Sequence, residues 1–421
     1  MDKQQRLGFL VVAMALATAW AIRGQFGHEQ GATWAGAIGG LALILVSGRK
    51  DWWAKLPLVA LASGIGWGVG GMISYGQVVG YGRADNFPNA FYGLGMLFVI
   101  GGLFGLIGGG LVGLTLDDTP KKKVQWGSLT AQLTAGGVIA YYFLVEQIGF
   151  KMTPPRSEAW AVCLGIGLAM LWYMAREGRT NALRVALFSM FGGGFGFAFG
   201  NFLQTMGHTY EIAFNMWNVM EYSIGFFGGL GMAYGVFSSE WEISVEPPMR
   251  TQHLALVVLL LFIPAIIYRE SLAPSKFIRA LEDLPNAVDL ARFNAHISLL
   301  VLVVMTVFLI YRLWNKAWNY KQGVWFLLVY LTGYTVISYL KTGLLQGELH
   351  LNHHLYLLNL LLLGFLLRKP LVAFFENRVN VVEVKKFWAI GLGILVVLAL
   401  LCVLSINLHE SLPGAHDRFP M

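Results

Sequence analysis

The chain has 421 residues, of which 56% are hydrophobic, 14% aromatic and only 13% charged. A soluble domain carries nearly twice that charged fraction, and a mean hydropathy of +0.60 over this length places most of the chain in lipid. The net charge of +7 does not point to nucleic acid, because the basic residues fall in short clusters between apolar runs, where they orient membrane segments.

The start, MDKQQR followed by LGFLVVAMALATAWA, has the layout of a secretory signal peptide. It is read as a retained first span, because many further spans follow. Apolar runs of membrane-crossing length occupy 7–23, 32–48, 56–76, 90–115, 127–149, 158–175 and 183–204. They continue at 216–238, 253–269, 294–312, 323–341, 354–368 and 387–407, which makes thirteen, the second and twelfth being short. With the N-terminus in the cytoplasm, twenty Lys and Arg fall on that side and ten on the other. The expected fold class is therefore an all-α polytopic membrane protein with about 13 transmembrane helices, N-in and C-out. On that topology eight of the nine histidines lie at outer ends, His253 being the exception. Cys163 and Cys402 both sit inside apolar runs and offer no disulfide framework.

A short pattern recurs at the outer ends of the odd-numbered spans: a glutamine, one or two residues, a glycine, then a histidine or aromatic. It appears as Gln25-Phe26-Gly27-His28, as Gln77 to Tyr81, as Gln147 to Phe150 and as Gln204 to His208, with a looser echo at Gln346-Gly347-Glu348. Five of the twelve glutamines occupy this one position, and glycine pairs punctuate the spans that follow. The expectation is four glycine-rich helical hairpins within residues 1–240, arranged around a shared axis with their polar ends converging. A linker at 241–252 then leads to a second bundle at 253–407. Amphipathic surface helices are expected near 275–293, broken at Pro285, and near 370–385, with an outer tail at 408–421.

Four polar clusters are candidates for chemistry. Around the first turn stand Arg23, Gln25, His28 and Glu29; around the second, Gln77 and Arg83. In the third, Asn201, Gln204, His208, Glu211, Asn218 and Glu221 follow helical spacing, and on one continuous helix His208, Glu211, Asn215, Asn218 and Glu221 form a single stripe. Glu221 then lies inside the membrane, where a carboxylate is expensive and usually functional. The fourth cluster holds Gln346, Glu348, His350 and His354. His350 and His354 have a zinc-like spacing, but the pattern is weak and no metal is expected.

No P-loop, H-E-x-x-H or G-x-S-x-G motif occurs, and no cofactor motif is present. Carboxamides, acids and aromatics facing outward suit a small polar solute such as a sugar derivative, an amino acid or an organic ion. The sequence favours a secondary transporter of the inner membrane, with proton coupling through Glu and His. The alternative is a membrane-embedded transferase or hydrolase acting on an extracytoplasmic or lipid-linked substrate. Glu29, Glu211 or Glu221 then serves as base, with His208, His28 or His354 as its partner. The expected partners are the solute and the bilayer, without nucleic acid.

Overall fold

Backbone in lipid must satisfy its own hydrogen bonds, and this chain does so almost entirely as helix. The structure, a computed structural model, describes residues 1–281, 285–314, 317–342 and 351–420. The first half contains α1 (Lys3–Arg23), α2 (His28–Leu45), the short α3 (Lys50–Trp53), α4 (Leu56–Gly71), α5 (Gly76–Tyr81) and α6 (Phe87–Asp117). It continues with α7 (Trp126–Tyr141), α8 (Ala159–Arg176), α9 (Thr180–Thr209) and α10 (Met216–Phe237). The second half contains α11 (Met249–Val257), α12 (Ile263–Ile267), α13 (Pro274–Ala280), α14 (Ala287–Leu313), α15 (Tyr320–Thr342), α16 (Leu351–Leu366) and α17 (Val384–Ile406). Wide π-helical turns extend α7 to Gln147 and join α11 to α12 in one segment ending at Leu272.

A helix lies over each of the thirteen apolar runs. Among the described residues, nine helical segments are long and apolar enough to cross a membrane, and Leu56–Gly71 and Leu351–Leu366 are shorter apolar helices. The remaining two, α2 and α10, open on the polar turns HEQGATW and MWNVMEYS. The architecture is that of a helical membrane protein.

Local signals set the helix ends. Asp2 and Gln5 form a reciprocal capping box at α1, with both bonds at 2.8 Å. Asn86 caps α6 at 3.1 Å and Asn215 caps α10 at 3.3 Å. Between α1 and α2 the chain reverses at Gly27, whose φ of 97° suits glycine and where a Cβ would collide with the Gln30 amide.

Six helices close a ring. In order, α1, α2, α4, α6, α9 and α10 pack side by side, and α10 returns against α1. Small residues four apart line these seams, because nothing in lipid drives helices together except close contact. Between α6 and α9, Gly101 meets Gly193, Gly105 and Gly109 meet Ser189, and Gly113 meets Ala182. Gly225 and Gly229 of α10 lie on Ala17 and Ala13 of α1, and Gly66 of α4 touches Gly108 of α6, where an added Cβ would stand 2.7 Å from its Cα. Three hairpins, α1–α2, α4–α6 and α9–α10, therefore make the ring. The fourth, α7–α8, stands outside it, with α8 against α6.

The axis of the ring is filled by aromatics from different walls. Trp20 meets Trp67 at 4.9 Å and Phe104 at 5.5 Å, and Phe104 meets Phe197 at 6.0 Å between ring centroids. All four are fully buried. Trp67 is wedged among Gly36, Gly108 and Gly228 from three walls.

Around the ring, α15 packs on α2, α16 on α1, and α17 on the far side against α6 and α9. Ring helices α1 and α6 bury 83% of their apolar window inside the protein, whereas α7 and α17 bury 17% and leave the rest to lipid.

Residues 370–383 correct an expectation. They form no surface helix but an extended strap across the end of the ring where α1 begins, called here the basal end. Ala373 donates to the Val46 carbonyl at 3.0 Å and Phe375 to the Phe237 carbonyl at 3.1 Å, so the strap satisfies the free C-termini of α2 and α10. Buried Arg184 clamps it, donating to Ser239 at 3.0 Å, Ser238 at 2.9 Å and the Val381 carbonyl at 2.9 Å. Near 275–293 the chain forms the short α13, a turn at Pro285, and then the first turns of α14, which continues as one 27-residue helix. The tail is held in place rather than frayed: Asn89 donates to Asp417 and the Phe419 carbonyl at 3.0 and 3.1 Å, and its Oδ1 accepts from the amides of Arg418 and Phe419.

Candidate functional site

Opposite the strap, at the ends of the ring where α2 and α10 begin, lies a cavity of about 960 Å³. Its walls come from the α1–α2 turn (Gly24, Gln25, His28, Glu29), the end of α4 and start of α5 (Met72 to Gln77), and α10 with its cap (Asn215 to Glu221). Two further elements reach in: Pro155, Arg156 and Ser157 from the α7–α8 loop, and Asn352 and His353 from α16.

A buried ionic triad forms the floor. Arg23 is fully buried at the last turn of α1, and its Nη2 donates to Glu221 Oε2 at 2.9 Å and to the Tyr75 hydroxyl at 3.0 Å. Tyr75 in turn donates to Glu221 Oε1 at 2.5 Å. The guanidinium stacks over Trp20 at 4.3 Å, which couples the triad to the aromatic plug below. Nε and Nη1 of Arg23 make no hydrogen bond among the described residues. His28 packs edge-on to Tyr75 at 5.6 Å. Both carboxylate oxygens of Glu221 are engaged, whereas among the described residues the Glu29 carboxylate accepts no side-chain hydrogen bond. Glu29 is the less constrained carboxylate of the two.

The α7–α8 loop reaches the cavity because Glu158 holds it there. Its carboxylate is buried and accepts from the amides of Met152 at 2.8 Å and Thr153 at 3.1 Å and from the Trp160 indole at 2.6 Å. This fixes a tight loop with Arg156 at its tip. The tail supports the same loop, since Arg418 donates to the Lys151 carbonyl at 3.0 Å.

Of the residues singled out in the sequence, Gln25, His28, Glu29, Gln77, Asn218 and Glu221 line the cavity, and Arg23 lies directly behind its floor. Arg83 stands one layer out, its guanidinium 5.7 Å over the cavity-lining Trp217 and 3.4 Å from the Pro413 carbonyl. Burial holds this guanidinium below its usual pKa. Asn201 and Gln204 face the interior of the helix pack, where the Asn201 amide meets Gln204 and the Val79 carbonyl at 3.4 Å. The expected continuous stripe is broken. Helix α9 ends at Thr209, Glu211 turns in a left-handed conformation with φ of 49°, and Asn215 starts a new helix. His208 and Glu211 are therefore exposed and apart from the cavity, while Asn215, Asn218 and Glu221 keep their common face. His354 points outward from α16, and its neighbour His353 takes the cavity position. Gln346, Glu348 and His350 lie outside the described residues. Among those described, no group of three or more metal-ligating side chains comes together.

Tyr75, Arg156, Trp217, Asn352 and His353 complete the cavity and were not among the sequence candidates. The chain matches no family model, no curated protein and no solved structure.

Proposed function

We propose that this integral membrane protein captures a small polar solute or headgroup in a one-ended cavity and acts on it there, as a membrane-embedded transferase or hydrolase. The observation that carries this reading is the closure beneath the cavity. On α1 the cavity reaches no deeper than Ala21, and the buried Trp20, Trp67, Phe104 and Phe197 follow at once. From Trp20 to the start of α1 the ring stays packed for roughly 25 Å, most of a hydrocarbon core of about 30 Å. In this reading Glu29 serves as general base and His28 as its acid–base partner, while Glu221, tied to Arg23 and Tyr75, holds the floor.

Secondary transport is the second reading, and one observation favours it: the walls are three like-oriented hairpins around one axis, with an ionic triad on that axis. Such a ring opens to the other face only if its seams separate.

Accessibility decides between the two. With Cys163 and Cys402 replaced by serine, Ser74→Cys reports the cavity, and Ser63→Cys and Ser189→Cys report buried positions below the plug. An impermeant thiol reagent is expected to label Ser74→Cys from the cavity face only and to leave the other two unlabelled from both faces. Labelling of either deep position from the basal face overturns one-sided action and establishes transport. The same vesicles fix orientation, for which we propose a bacterial inner membrane with the cavity facing outward, as the Lys and Arg bias indicates.

A further inference from the structure

We propose that the cavity's ligand is a polyhydroxylated anion, with its carboxylate or phosphate on Arg156 at the tip of the α7–α8 loop. The inference deepens the capture reading above and rests on it. The loop's place is the first ground: α7–α8 stands outside the ring, yet its connection alone crosses to the cavity. Three donors on the buried Glu158 carboxylate hold it there. So much fixation of a short loop places its tip.

The second ground is charge. Arg156 is exposed at the cavity, and its guanidinium makes no hydrogen bond or ion pair among the described residues. Arg23 is already matched by Glu221, and the Glu29 carboxylate in the same lining leaves the cavity near neutral overall, so what places the anion is the position of Arg156 at the loop tip. The third is the helix geometry. The N-terminus of α2 opens on the cavity with no side-chain cap, leaving first-turn amides and the positive end of the helix dipole directed there. A free guanidinium and an uncapped helix start lining one cavity suit an anionic group, which the guanidinium can hold bidentately. The rest of the lining, with the carboxamides of Gln25, Gln77, Asn218 and Asn352, offers paired donors and acceptors for hydroxyls. The cavity volume holds a ligand of monosaccharide size or somewhat larger.

Free acidic sugars and the headgroups of anionic glycolipids share this chemistry, and the test separates them. Labelled D-glucuronate is bound to the full-length protein in detergent, with D-glucose 6-phosphate and neutral D-glucose as competitors. In parallel, nanodiscs with and without phosphatidylinositol are compared by the protein's unfolding temperature. The expected result is that both anions bind at least about tenfold more tightly than D-glucose, the size of one lost charge-assisted contact. Arg156→Ala should erase that difference, Arg156→Lys should keep part of it, and Asn218→Leu, which fills the cavity, should abolish binding of all three. Stabilisation by phosphatidylinositol that depends on Arg156, without binding of the free anions, supports the same assignment and makes the headgroup the source. Binding of D-glucose as tight as that of the anions, or no effect of Arg156→Ala, overturns the anion assignment and leaves the capture reading standing. Binding indifferent to Asn218→Leu, or no response to any probe, overturns both.

Discussion

At the scale of single residues, the Arg23–Tyr75–Glu221 triad buries an ion pair in the floor of the cavity. Arg23 is fully buried and the Glu221 side chain is 9% exposed, so their charges are compensated by each other rather than by water. Removing one partner of such a pair costs about 3–5 kcal/mol, whereas replacing both with apolar groups of similar volume costs far less. Glu221→Ala should therefore lower the unfolding midpoint in detergent by many degrees, and the double variant Arg23→Met with Glu221→Leu should recover most of that loss. A double variant no more stable than Glu221→Ala would show that the pair is not what holds the floor. The first polar turn, RGQFGHEQG at residues 23–31, was legible against the membrane because glycines and charges are rare together in apolar sequence. Tyr75 and Arg156 were not legible in this way: each stands alone among loop or apolar neighbours, and only the ring brings Tyr75 to Glu221 or the loop to the cavity. His353 belongs to the histidine-rich fourth cluster, where the sequence does not say that it rather than His354 takes the cavity side. Asn201 and Gln204 show the converse: a glutamine in the recurrent position can turn inward and accept from a neighbouring side chain, here Asn201, instead of facing a ligand.

At the scale of elements, the apolar periodicity sufficed to locate the helices, since each expected run carries one. The strap was misread because PLVAFFENRVNVVEVKK alternates apolar and polar residues well enough for either structure. What decides it is the pair of free carbonyls at Val46 and Phe237, on helices far away in sequence. The seams between helices carry a sharper prediction. A Cβ on Gly101 would be driven into the Gly193 carbonyl, while a Cβ on Gly95, in the same helix, meets nothing within 4 Å. Gly101→Ala should destabilise by about 1–3 kcal/mol through overpacking of the α6–α9 seam. Gly95→Ala should be neutral or stabilise by roughly 0.5–1 kcal/mol, because alanine is the better helix former. Thermal unfolding of both in one detergent checks the contrast. Equal loss for the two would mean that the seam is loose.

At the scale of the whole molecule, the decisive contact is the closure of α10 on α1, two hundred residues apart. Hairpins around a shared axis were expected from the sequence, but a single sequence does not say which ridge meets which, so neither the order of the seams nor the exclusion of α7–α8 was legible. Closure has a consequence for the chain's two ends. Helix α1 begins at the basal end beside the strap, whereas the tail crosses to the cavity end and is bound by Asn89. The termini thus lie at opposite ends of the bundle, and an odd number of crossings is the topology this arrangement predicts. Asn89 makes four hydrogen bonds to the tail, and His416 adds a fifth from its amide to the Gly80 carbonyl at 3.1 Å. At about 1 kcal/mol net for each, the four from Asn89 protect the tail by much more than tenfold against local opening. In sealed vesicles with the cavity face outward, trypsin should cut after Arg418 slowly in the parent protein and at least about tenfold faster in Asn89→Ala. An N-terminal epitope should stay inaccessible in both. Fast cleavage of the parent would mean that the tail is not bound. Access to both ends from one face would mean an even number of crossings, and the bundle would then have to be rebuilt with one helix lying outside the membrane.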